Sequence, residues 1–114
     1  MIQIHQTRYE VSNGEEITVE LIATQVADTA VFTSSPVPAE QISPSPRTYR
    51  FTAQGSAGIT IFGEITCDFT AAEDGASFQA IISSPGSGPF DGPTIRKEDP
   101  DSEEPIGIDF EFPE

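Results

Sequence analysis

The sequence predicts an all-β chain folded as an antiparallel two-sheet β-sandwich of about seven strands. Apolar and polar residues alternate along most of the chain, and no segment shows a convincing 3.6-residue period. The alternating runs are rich in Ile, Val, Thr and Phe, residues that favour strands. Turn formers such as Asn13-Gly14 and Gln54–Gly58 separate the runs. One sheet cannot bury an apolar face alone, so a second sheet must cover it.

The first strand spans about 2–11 and ends at Asn13-Gly14. A three-residue loop there, Ser12-Asn13-Gly14 with Gly14 left-handed, sets Tyr9 against Ile17. The second spans 15–25 and places Ile17, Val19, Leu21 and Ala23 on one face. A short strand at 29–34 follows, although neighbours Val31 and Phe32 cannot share a face. The four-proline segment 34–46 reads as an extended, irregular crossing between sheets. It lacks the flanking base of an SH3-type ligand, so a structural role is expected. Strand 47–54 carries Tyr49, Phe51 and Ala53 inward.

The clearest strand is 58–70, with Ile59, Ile61, Ile65, Cys67 and Phe69 on one face. Gly63 interrupts that face and suggests a bend or bulge. Hairpin loops on either side give apolar pairings. A loop at 54–58 sets Phe51 against Ile61 and Tyr49 against Gly63. A loop at 72–75, with Gly75 at positive φ, sets Phe69 against Phe78, Cys67 against Ala80 and Ile65 against Ile82. Strand 76–84 follows. The Gly/Pro-rich, acidic connection 84–105 is long for a compact domain, and only Thr94–Lys97 suggests a short edge strand in it. The last strand, 106–112, alternates cleanly through Ile106, Ile108, Phe110 and Phe112. It must join a sheet, in its own chain or in a partner.

The 114 residues form a single domain, 1–114, with 36% hydrophobic residues and eight Phe. No apolar run approaches the ~20 residues of a membrane-spanning helix. Residues 1–11 do not read as a secretory signal, and the compartment stays open. Nineteen acids against five bases leave a net charge of −14, and eight of those acids fall in residues 98–114 without a base. Nucleic acid and anionic lipid are therefore not expected as partners.

No catalytic motif emerges, and the chain is not expected to be an enzyme. Cys67 lies on the apolar face with a single His5 in the chain, so a buried small hydrophobe is the expected role. One histidine cannot build the usual zinc site. Paired carboxylates for glycoside hydrolysis would have to come from Glu64, Asp68, Glu20 or the acidic C-terminal segment, and Glu64 and Asp68 share a polar face at roughly 13 Å along one strand, too far apart for such a pair. Asp99, Asp101 and Glu103 alternate in a way that could present three carboxylates to calcium, although no EF-hand frame fits. Phe62, on the polar face of its strand, and Phe90, in the Gly/Pro-rich connection, are candidate partner-binding anchors. The competing expectation is that Phe90 folds back over Phe62 as a small satellite cluster.

Strand number and spacing resemble immunoglobulin-like and fibronectin-like sandwiches in architecture only. The Cys…Trp…Cys signature is missing, and the resemblance implies no function. The expected function is a non-catalytic module that binds another protein or self-associates as a subunit of an assembly. The alternatives are a calcium-assisted ligand- or carbohydrate-binding module using Asp99, Asp101 and Glu103, and a small protease inhibitor using the 84–93 loop.

Overall fold

A computed structural model describes residues 5–24, 30–44, 47–70, 73–85, 87–99 and 105–113. The chain is an all-β sandwich with two packed sheets. In chain order the strands are β1 (His5–Glu10), β2 (Glu16–Thr24), β3 (Val31–Ser35), β4 (Glu40–Pro44), β5 (Arg47–Thr52), β6 (Thr60–Thr66), β7 (Ser77–Ser84), β8 (Ser87–Arg96) and β9 (Ile106–Glu111). One sheet has the order β1-β9-β6-β3, the other β4-β5-β2-β7-β8. All ladders among the described residues are antiparallel except β1 with β9, which is parallel.

The expected hairpins at 12–14, 54–58 and 72–75 do not form. In each case the chain crosses to the other sheet, so β1 and β2, β5 and β6, and β6 and β7 are not ladder partners. Gly14 and Gly75 do take positive φ, 87° each. The turn at Gly14 serves a different pairing: its amide donates to the Ala53 carbonyl, extending the β2–β5 ladder. The error has a physical cause. Parity tells which residues face the core, but two core-facing residues can meet across the ~10 Å gap between sheets as well as along a ladder. Phe69 and Phe78 do meet, with ring centroids 6.0 Å apart, although no ladder joins their segments.

The two hairpins joining strands of one sheet, β4–β5 and β7–β8, supply the two strands missing from the expectation. The connection 84–105 is therefore not irregular throughout. Residues 87–96 pair with β7 from Ser84↔Ser87 to Ser77↔Arg96, with two register shifts. Pro89, Pro93 and Pro44 mask these strands in the sequence, yet an edge strand tolerates a residue that cannot donate to the ladder.

The inner faces form one apolar core. Phe110 lies at its centre, with ring centroids 5.0 Å from Phe51, 5.9 Å from Tyr9 and 6.4 Å from Phe32. β9 sits between β1 and β6, so its pairing lies within the chain and not in a partner. Gly63 marks no bulge, because β6 keeps register through it with both β3 and β9. The rings over it belong to Phe32 and Phe110, not to Tyr49.

Candidate functional site

The outer face of the four-stranded sheet follows from its registers. Side chains alternate across a strand, and core-facing Ile61, Ile65, Ile108 and Phe110 assign their neighbours outward. One row across this face reads Arg8, Asp109, Phe62, Ser35. The next towards the end of β6 pairs Gly107 with Glu64 and Glu64 with Thr33, and the row on the other side joins Glu10, Glu111 and Thr60. Phe62 is 60% exposed in the middle of this regular sheet. It borders a shallow trough of about 450 Å³, lined also by Thr33, Ser34, Ser35, Gly63, Glu64 and Asp109. The face carries Glu10, Glu64, Asp109 and Glu111 against the base Arg8. Arg8 Nε lies 3.4 Å from Glu111, with both groups open to water, where such pairs contribute little.

Phe90 occupies a different place. It pairs with Ile82 on the edge strand β8 and meets Tyr9 edge-on, at 6.2 Å between centroids. The contact links β1 of one sheet to β8 of the other, and Phe90 itself stays partly exposed, at 37%. The structure does not bring it onto Phe62, so the expected satellite cluster is replaced by this contact with Tyr9. Segment 84–93, expected as an open loop, is largely strand among its described residues.

The acidic segment is used locally where it is described. Asp99 Oδ2 accepts the Arg96 amide at 3.0 Å, while the Asp99 amide donates to the Arg96 carbonyl at 3.0 Å. The Glu98 carboxylate accepts the Gly75 amide. The Glu98 bond, with the Lys97 amide donating to the Ala76 carbonyl at 2.9 Å, ties the turn after β8 to the turn before β7. Asp101 and Glu103 lie outside the described residues. Among the described residues no group of three or more His, Cys, Asp or Glu is placed to hold a metal ion.

The remaining candidates divide between the sheets. Cys67 is half-buried and packs against the core. Glu20 belongs to the five-stranded sheet and so does not join Glu64 or Asp68. The Asp68 carboxyl is held below the usual range by hydrogen bonds from the side chain and then the backbone of Thr70, the amide at 2.9 Å. A second, wider depression of about 770 Å³ lies where the Ser12–Glu15 turn meets Pro85 and Pro113. One of its carboxylates, Glu15, accepts the Ser12 amide at 2.9 Å and so serves the turn.

Sequence parity finds Phe62 but not its neighbours. Asp109 and Ser35 flank it only because β9 and β3 pair on either side of β6, and residues so distant in sequence carry no local signal of that. No match to this chain emerges among protein-family models, curated proteins or solved structures.

Proposed function

We propose that this protein is a non-catalytic β-sandwich module that binds another protein through the outer face of its four-stranded sheet. The observation behind this reading is Phe62, a large aromatic side chain left 60% exposed at mid-sheet beside the carboxylates Glu64 and Asp109. An aromatic face with acidic neighbours suits Lys and Arg side chains, which it attracts through the ring quadrupole and through charge. The net charge of −14 favours the same class of partner and opposes self-association through this face. The two-sheet β-sandwich architecture by itself lends nothing to the reading.

Selection from a displayed library of random linear peptides tests it, with a glycan array in parallel. Lys- or Arg-rich peptides should emerge and bind more weakly as salt rises. They should lose tenfold or more in affinity on Phe62→Thr and on Glu64→Gln with Asp109→Asn, while the melting temperature stays within a few degrees. Peptides indifferent to Phe62→Thr, or no binders at all, would end this reading. Glycan binding that depends on Phe62 would move the function to carbohydrate recognition.

A further inference from the structure

The four sheet edges are not alike. β8 carries Pro89, Pro93 and two register shifts, and β4 carries Pro44 and one. Such features stop an edge from accepting a further strand. β1 carries Arg8 and Glu10. β3, with sequence VFTSS, has no proline, no charge and no register shift against β6. Among the described residues no strand pairs on its other side. It is a neutral edge in unbroken register with β6, and it offers backbone donors and acceptors on its outer side.

This edge adjoins the trough beside Phe62. The trough is lined by Thr33, Ser34 and Ser35 of β3, with Phe62, Glu64 and Asp109 beyond them. A strand added to β3 would lie two strand spacings, ~10 Å, from β6. Small side chains fill the interval, because the outward residues of β3 beside Phe62 and Glu64 are Ser35 and Thr33. Only a long side chain spans such a distance, and the Glu64 carboxylate at its far end calls for a cation.

We propose that β3 receives an extended cationic segment of a partner protein as an added strand, with alternate Lys or Arg side chains lying across Ser35 and Thr33 onto Phe62 and Glu64. This rests on the binding face proposed above and adds the mode of entry. Backbone pairing would supply affinity without sequence, and the trough would supply selectivity. A second copy of this chain is a poor occupant, since β3 against β3 brings no cation to Glu64 and Asp109 and joins two bodies of charge −14.

The probe is an eight-residue peptide in which Arg alternates with Val, titrated into the full chain. Two further versions carry N-methyl groups on the Arg amides or on the Val amides. An added edge strand turns only every second amide towards its host. One methylated series should therefore bind tenfold or more weakly and the other near the level of the parent. Phe62→Thr should weaken the parent peptide by a similar factor, and a Glu-Val peptide should not bind. Equal binding of both series with Phe62 sensitivity retained would overturn strand addition and leave the binding face standing. Binding indifferent to both changes, or no binding, would overturn the two together.

Discussion

A methyl group at Gly63 would sit 2.9 Å from Phe32 Cε1, 3.0 Å from Phe110 Cε2 and 3.2 Å from the Ile108 carbonyl oxygen. Two of these neighbours are rings in the centre of the core and the third is backbone, so none yields freely. Gly63→Ala should cost about 1–3 kcal/mol by overpacking. Urea unfolding should show a lower midpoint at an unchanged slope, and an unchanged midpoint would mean the rings move aside. Asp68 makes the opposite kind of contribution, at the surface. Its folded pKa is lowered, so the hydrogen bonds from Thr70 stabilise the fold above the unfolded carboxylate value of about 3.9 and are lost as pH falls through the folded value. The melting temperature of Asp68→Ala should fall below that of the native chain at neutral pH, and the gap should close in acid. A gap independent of pH would remove the charge from the explanation. At this scale the sequence identified the glycine and the exposed Phe62 by parity alone. It did not identify what covers the one or flanks the other.

β9 shows how much an element depends on its place. Alternation through Ile106, Ile108, Phe110 and Phe112 predicted a strand, and a strand forms over Ile106–Glu111. Its position between β1 and β6 came only with the fold. Because β9 fills the middle of its sheet, a chain ending at Pro105 should not fold, since β1 and β6 lose their shared partner and Phe110 leaves the core. Collapsed amide dispersion in an NMR spectrum would bear this out, and a cooperative melt of the shortened chain would refute it. β4 and β8 were hidden for the reverse reason. Edge strands need bury little, so β4 shows no alternating burial, and proline that would disqualify a central strand is tolerated there.

Across the whole molecule, fourteen unbalanced negative charges oppose compaction. The ion pairs Arg8–Glu111, Arg50–Glu16 and Lys97–Asp74 are 3.4–3.9 Å long and lie at the surface, so they offset little of it. From about 0.01 M to about 1 M salt the screening length falls from about 30 Å to about 3 Å. The melting temperature should rise over that range, and a fall would show that the ion pairs outweigh the repulsion. The parallel ladder of β1 with β9 joins the two ends of the chain, a connection that also predicts slow folding, in milliseconds to seconds. The sequence by itself determined the β class, the single apolar core, the faces of most strands and the outward place of Phe62, because these follow from a two-residue period and from composition. The tertiary structure alone decided which strands pair, which inward residues meet across the core, and that Ser35 and Asp109 flank Phe62. Parity is a local property, whereas the choice between pairing along a sheet and packing across the sandwich is settled by the whole chain at once.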